Sequence, residues 1–383
     1  MDKLSLIATA TFGLEAVVAR EVKRLGYENV QVENGRVTFT ADKAAICRSN
    51  LWLRSADRVL LKIGEFKATS FDELFEETRK LPWPEWLPRN AAFPVSGKSI
   101  DSQLFSVPNC QAIVKKAVVE SMSQTHGQQW FPENGPLYAI EVALLKDRAT
   151  ITVDTSGPGL HKRGYRKLSG DAPLKETLAA AMIELSFWNP DRILHDPFCG
   201  TGTIPIEAAL MGLNIAPGLK RNFTAESWPQ LPPTLWQKAR GEAEELISRG
   251  TKLKIRGTDI DKEAVSMAGY HARLAGLEEG HIHWQQLPLT EIGAGRKYGC
   301  IICNPPYGER LEDEEEVKKL YREMGKVFRQ LDSWSFYILT AHPGFEKLFG
   351  KRADKRRKLY NGRIECQYYQ YFGPRPPRQK EAP

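Results

Sequence analysis

Residues 192–210 read RILHDPFCGTGTIPIEAAL. Arg192–His195 have the make-up of a short strand. Residues 196–203, DPFCGTGT, then place two glycines within three positions, and Ile206, Ala209 and Leu210 follow at helical spacing. A strand, a glycine turn and a helix in that order open a doubly wound α/β sheet. Glycine suits such a turn because a side chain would hold the backbone away from a ligand. The nicotinamide pattern G-x-G-x-x-G fails, since Pro205 stands where the third glycine belongs, and the turn lacks the Gly-Lys-Ser/Thr of a P-loop. A nucleoside-bearing ligand without a pyrophosphate fits better.

Downstream, strand and helix alternate. Strands are predicted at Arg192–His195, Leu253–Gly257, His281–Trp284, Gly299–Cys303 and Phe336–Leu339, with helices at Lys262–Ala275 and Glu315–Leu331. Asp171 can cap a helix bearing Leu174, Leu178, Met182 and Leu185. The pattern predicts an open, mostly parallel sheet with helices on both faces. Asn361-Gly362 is a type I′ signal, so an antiparallel hairpin closes the sheet. The second strand ends in GTDID, 257–261. A carboxylate at Asp259 lies where ligands bind such sheets and can accept both ribose hydroxyls of an adenosine group. Ile260 can pack on the adenine, and Asp261 reads as a helix N-cap. Gly202 and Asp259 stand much further apart than the roughly 20 residues of a simple β-α-β unit. Leu213–Gly250, holding Trp228 and Trp236, therefore looks inserted, as a lid or a contact surface.

Upstream, the first ~155 residues look α+β. Residues 81–94, LPWPEWLPRNAAFP, exclude a long helix. YAIEVALL (138–145) and ATITV (149–153) read as a hairpin about Lys146–Arg148, and a helix spans Gln111–Met122. TSGPG, 155–159, reads as a linker. Apolar residues at 42% and charged ones at 26% exclude a long disordered chain. A net charge of +7 leans toward a polyanionic partner. No apolar run reaches the roughly 18 residues that cross a bilayer, and charges interrupt the N-terminus as they would not in a signal peptide. A cytoplasmic protein without membrane contact is expected. The six cysteines are scattered, and Cys300 and Cys303, a C-x-x-C by spacing, read as buried strand thiols and not as a metal site.

ICNPPYG, 302–308, is the sharpest signal. Two prolines end a strand and remove two N–H donors, so carbonyls face outward without nearby competitors. The Asn304 side chain and the Pro305 carbonyl can accept both hydrogens of a planar NH2 group, with Pro306 stiffening the turn. Such an amine delocalises its lone pair and is a poor nucleophile. Two placed acceptors favour a tetrahedral nitrogen as it attacks a methyl carbon, an effect that grows toward the transition state. Tyr307 would stack on the base and hold it in line. No metal is needed, because a sulfonium leaving group becomes neutral.

DPFCGTGT, GTDID and NPPYGER in this order resemble the motifs of class I S-adenosylmethionine-dependent methyltransferases acting on exocyclic amines. SVPNCQAIVKKA and LHKRGYRK resemble a ferredoxin-like plus THUMP module. Nearly end to end, the chain is similar to the THUMP-containing RNA guanine-N2 methyltransferases, in particular to the N-terminal half of the bacterial bifunctional 23S rRNA methyltransferases. The resemblance implies a Rossmann-like sheet with a C-terminal antiparallel hairpin at 171–383, a linker at 156–170, a THUMP domain at 56–155 and a ferredoxin-like part at 1–55. It implies S-adenosylmethionine binding at Asp196, Phe198, Gly200, Gly202 and Asp259, with Lys175 near the methionine end and Asn304, Pro305, Pro306 and Tyr307 at the target amine. Many relatives carry an acid after the third strand, near the adenine amine; here Gln286 would serve.

From Lys347 to Lys380 eleven Lys and Arg face two acids. Lys355, Arg356 and Arg357 read as part of a phosphate-contacting stripe, joined by Lys162, Arg163, Arg166, Lys115 and Lys116. The acidic run Glu312–Glu316 reads as a solvated helix start. Structured RNA is the expected partner, ribosomal before transfer RNA. Adenine N6, a glutamine amide, or RNA binding without catalysis are the rivals.

Overall fold

A computed structural model describes residues 3–167, 174–293, 297–308 and 314–377, which divide into two compact units. Asp171, Arg378, Lys380, and the start of the acidic run (Glu312 and Asp313) lie outside the described residues.

The first unit comprises Met1–Ala10, Val18–Leu160 and Arg221–Glu242. Its seven strands are β1 (Leu4–Ala10), β2 (Gln31–Glu33), β3 (Arg36–Ala41), β4 (Ala56–Lys67), β5 (Val95–Ile100), β6 (Ile140–Leu145) and β7 (Arg148–Asp154), in the order β2-β3-β1-β4-β7-β6-β5. The twelve-residue β4 makes one sheet of the ferredoxin-like and THUMP parts. It pairs with β1 from Ala56 to Lys62 and with β7 from Leu60 to Lys67. Helices α1 (Glu15–Arg24), α2 (Ala44–Trp52), α3 (Phe71–Arg79), α4 (Trp83–Trp86) and α5 (Val107–His126) accompany it. Val114, Ala117, Val118 and Met122 form the buried stripe of α5, and left-handed Gly127 ends that helix. Lys146 and Asp147, both at positive φ, form the type I′ turn between β6 and β7.

The predicted linker at 155–159 packs instead of swinging free. Thr155 and Ser156 are fully buried, and the Asn50 side chain donates to Thr155 Oγ1 at 2.8 Å and accepts from Ser156 Oγ at 2.6 Å. Small hydroxyl residues favour turns, but they can equally satisfy a buried amide.

The second unit comprises Thr11–Val17, His161–Lys220 and Ala243–Pro383. In chain order it carries α6 (Glu176–Glu184), β8 (Leu194–Asp196) and α7 (Thr203–Gly212). After α8 (Pro233–Glu245), most of which lies in the first unit, come β9 (Ile255–Asp259), α9 (Lys262–Leu274), β10 (Ile282–Gln286), β11 (Cys300–Cys303), α10 (Glu314–Phe328), β12 (Ser335–Thr340), α11 (Phe345–Phe349), β13 (Lys355–Asn361) and β14 (Ile364–Tyr371). The sheet runs β10-β9-β8-β11-β12-β14-β13, parallel except for the final hairpin. Its two faces bury separate cores. Cys300 and Ile302 join one, Ile301 and Cys303 the other, so the C-x-x-C thiols belong to opposite faces of β11 and cannot share a metal. The closing turn differs from the Asn-Gly expectation. Asn361 still pairs with Ile364, and of the two loop residues only Gly362 has positive φ, the type II′ arrangement.

Of the predicted insertion, residues 221–242 pack within the first unit. Trp228 stacks on Tyr138 at 4.4 Å and meets the edge of Trp86, while its Nε1 donates to the Leu137 carbonyl at 2.9 Å. Gln230 bridges the Tyr138 hydroxyl and the Trp86 carbonyl. Residues 221–242 thus complete the core of the first unit.

Candidate active site

The glycine turn uses its two glycines differently. Gly200 has φ +49, with open space where a Cβ would project. Gly202, at φ +88, caps α7, and a Cβ there would lie 2.8 Å from the Trp284 ring and 2.9 Å from Ala268 Cβ. The first opens the turn toward a ligand; the second lets α7 start close against its neighbours. Asp196 sits beneath, 1% exposed, and accepts the Phe198 N–H at 3.1 Å. Burial, and then the charge of Asp259, pushes its carboxyl well above the usual range.

Asp259 ends β9 and ties the two loops together. Its Oδ2 accepts the Gly200 N–H at 2.8 Å and its Oδ1 the Asp261 N–H at 3.1 Å, leaving acceptor capacity on each oxygen. Asp261 caps α9 as expected, accepting the Glu263 N–H at 2.8 Å. Gln286 donates to the Ile260 carbonyl at 2.9 Å, steadying that loop. Lys175 is the N-cap residue of α6.

After β11 the chain runs through Asn304, Pro305, Pro306 and Tyr307 to Gly308, whose φ of +74 only glycine adopts easily. Tyr321, on α10, donates to the Pro306 carbonyl at 2.6 Å and shares a 2.8 Å hydrogen bond with Thr340 at the end of β12. The Tyr307 ring packs against the core, and its hydroxyl donates to Asn304 Oδ1. Burial holds that phenol far above its ordinary pKa.

One cavity of about 800 Å³ joins both ends of this machinery. Phe198, Gly200, Asp259 and Ile260 line it on one side, Asn304, Pro305, Pro306 and Tyr307 on the other. Leu287, Pro288 and Leu289 supply apolar wall. An open glycine turn, a carboxylate and apolar walls fit the ribose and base of S-adenosylmethionine, the methyl donor of this fold. Asp196, Gly202, Gln286 and Lys175 are not among the lining residues: the first two shape the turn, and Gln286 holds Ile260. The sequence reading missed Glu316, Leu320 and Glu323, which share a face of α10, and Asn361 of the hairpin. Glu316 belongs to the acidic run read as solvated; the i, i+4, i+7 spacing with Leu320 and Glu323 was the available signal. A second cavity of about 660 Å³, in the first unit beside Tyr27 and Arg48, holds none of the predicted residues.

Several predicted phosphate contacts are internal. Arg163 is 3% exposed and paired with Glu207, which also accepts from the Tyr165 hydroxyl at 3.1 Å. Arg166 donates to Thr203 Oγ1 at 2.6 Å and to the Leu174 carbonyl at 2.9 Å, and faces Glu176 at 3.4 Å. These two arginines brace the start of α7 and do not offer themselves to RNA. Lys115 lies 2.5 Å from Glu133 and over the Phe93 ring. Arg356 pairs with Glu346, and Arg357 donates to the Gly13 carbonyl at 3.3 Å. Lys116, Lys162, Lys351, Arg352, Lys355 and, despite its ion pair, Arg356 are exposed.

Family models match three stretches: an RMKL-like methyltransferase domain over 163–370, an RlmL ferredoxin-like domain over 5–60 and a THUMP domain over 68–154. YpsC of Bacillus subtilis, whose name assigns it as an RNA methyltransferase, is 50% identical over 100% of this chain and 99% of its own length. A Listeria monocytogenes crystal structure named as an N6-adenine-specific DNA methylase is 52% identical, covering 98% of this chain and 97% of its own, with a TM-score of 0.93. The SMU.472 methyltransferase structure, complexed with SAH, is 45% identical over 98% of this chain and 100% of its own, with a TM-score of 0.92.

Proposed function

This chain belongs to the RMKL-like methyltransferase family, and from that membership we propose that it methylates the exocyclic N2 amine of a guanine in structured RNA, with 23S ribosomal RNA favoured over transfer RNA. It is an S-adenosylmethionine-dependent RNA methyltransferase of the THUMP type. Among its described residues no helix is long and apolar enough to cross a membrane.

The observation that carries the reading is the shared cavity, in which the Gly200–Asp259 end meets the Asn304–Tyr307 end. The cofactor supplies an electrophilic methyl group. On this reading Asp259 receives its ribose hydroxyls and Ile260 packs on its adenine, while the open turn at Gly200 admits the backbone close to it. Asn304 Oδ1 and the Pro305 carbonyl accept the two N–H bonds of the target amine, and Tyr307 stacks on the base. A base within a duplex cannot reach such a cavity, so the nucleotide must be unpaired or flipped.

Asp259→Ala is expected to weaken cofactor binding by about 1.5–3 kcal/mol, the range for hydrogen bonds to a charged group. Calorimetry with S-adenosylhomocysteine checks it, and unchanged affinity removes the ribose role. The exposed Lys116, Lys162, Lys351, Arg352, Lys355 and Arg356 remain as the phosphate-contacting set. Replacing two of them with glutamine should lower the log–log salt slope of RNA binding by roughly 0.7–0.9 for each phosphate no longer neutralised. An unaltered slope would place the phosphate-binding groups elsewhere.

The experiment that tests the function is transfer of labelled methyl from S-adenosylmethionine to total RNA and, in parallel, to genomic DNA of a deletion strain, followed by nucleoside analysis. N2-methylguanosine in the large ribosomal RNA is expected. N6-methyladenine in DNA would establish the second reading, which the name of the Listeria structure favours and the THUMP module disfavours.

A further inference from the structure

Residues Thr11–Val17 belong to the second unit, where Leu14 and Val17 are buried in the core that also holds Leu359 and Cys366 of the terminal hairpin. That anchorage fixes the residue before them. Arg357 donates to the Gly13 carbonyl at 3.3 Å, and the Gly13 N–H donates to Glu15 at 2.9 Å. Gly13, at φ +90, passes so close to β13 that a Cβ there would lie 2.7 Å from the Lys358 carbonyl oxygen. Only glycine permits that approach. Phe12 then meets the Tyr360 ring edge-on, with centroids 6.2 Å apart, and remains 52% exposed. Lys358 Nζ stands 5.6 Å over the same Tyr360 ring.

A lone exposed phenylalanine is ordinary on a protein surface. This one is distinguished by where it is held. Tyr360 precedes Asn361, which lines the cavity of about 800 Å³, while neither Tyr360 nor Phe12 is among the lining residues. Successive strand residues point to opposite faces, so the ring pair stands at the rim and not inside. Between Lys355 and Tyr371 the hairpin carries five cations against one acid, Glu365, which makes a polyanion its complementary partner. A target base that leaves its stack strips a neighbouring base of one stacking face, and that loss is part of the cost of flipping. An aromatic side chain restores the face whatever the neighbour is, because every base has a π-face.

We propose that Phe12, held edge-on against Tyr360, is the stacking platform for the RNA base next to the methylation target. The inference rests on the flipped-base reading above. It adds a positioning residue from outside the stretch 163–370 that the methyltransferase model matches.

The test uses the full chain and, as probe, the shortest fragment of large ribosomal RNA that the wild type retains in filter binding. Phe12→Ala is expected to weaken binding of that fragment about 5- to 100-fold, the worth of one stacked base, with S-adenosylhomocysteine affinity unchanged. Phe12→Trp should bind as the wild type does. Phe12→Leu keeps an apolar contact with Tyr360 but has no π-face, and should recover little of the loss. An abasic scan of the fragment should find one position at which Phe12→Ala costs nothing further, and that position should adjoin the nucleotide that takes the methyl group. An alanine or leucine variant as tight as the wild type overturns the proposal. So does a loss that persists at every abasic position, because a residue that only braces the hairpin acts whichever base is missing. Silencing at a position remote from the methylated nucleotide overturns it as well. A wild type that binds the fragment and methylates no RNA amine would instead sink the proposed function.

Discussion

Asn304→Ala is expected to reduce methyl transfer by about 10²–10³-fold, the range found when one placed hydrogen-bonding group is removed from a transition state, while RNA and cofactor still bind. The asymmetry follows from when the interaction matters. A planar amine hydrogen-bonds weakly to Asn304 in the ground state; as its nitrogen turns tetrahedral and gains positive character, both N–H bonds become stronger donors. Losing the side-chain carbonyl leaves the Pro305 carbonyl as the remaining acceptor proposed for the amine. The resting site adds a second consequence: without Asn304, the Tyr307 hydroxyl loses its acceptor. Single-turnover rates beside filter-binding affinities make the check, and a parallel fall in RNA affinity would mean Asn304 contributes to binding and not to the chemical step.

The largest effect on stability is expected at Glu207. Its side chain is fully buried on α7, between Arg163 at 3.3 Å and the Tyr165 hydroxyl at 3.1 Å. Burial, and then the charge of Glu207, raises the Tyr165 phenol well above its normal pKa, so it stays protonated and donates. Glu207→Ala removes the carboxylate paired with the buried Arg163 guanidinium, and breaking such a buried pair costs about 3–5 kcal/mol. Glu207→Gln keeps the shape and an acceptor but loses the charge, and should be milder. Chemical denaturation of the two variants distinguishes the outcomes. Equal, small losses would show that Arg163 finds water or another partner on losing Glu207.

Much of this architecture is legible in the sequence because it rests on local rules. The parallel strands and most helices follow from apolar periodicity, and each predicted strand of the second unit lies within three residues of an observed one at either end. Asp261 as a cap and Gly200 as an opening are decided by near neighbours. What escapes is set by distant contacts. Nothing near Gly202 announces that Trp284 will press against it, and nothing near Arg163 that Glu207 will neutralise it. A basic residue in a basic stretch reads as a phosphate contact until a buried acid from another helix claims it. Asn361 escaped because its turn signal was strong enough to account for it alone, although that turn proved to begin one residue later.

The excursion of residues 221–242 bears on anyone who would dissect this molecule. A fragment stopping at Leu160 would lack Trp228 and Gln230, and so bare the Tyr138 ring and the Trp86 carbonyl. The complementary fragment, starting at His161, would keep Trp228 with nothing to lie against and expose it to solvent. Both halves would be sticky, so the tidy boundary suggested by family matching is the wrong place for scissors; a clean recombinant N-terminal piece has to carry the borrowed tryptophan loop grafted back onto it.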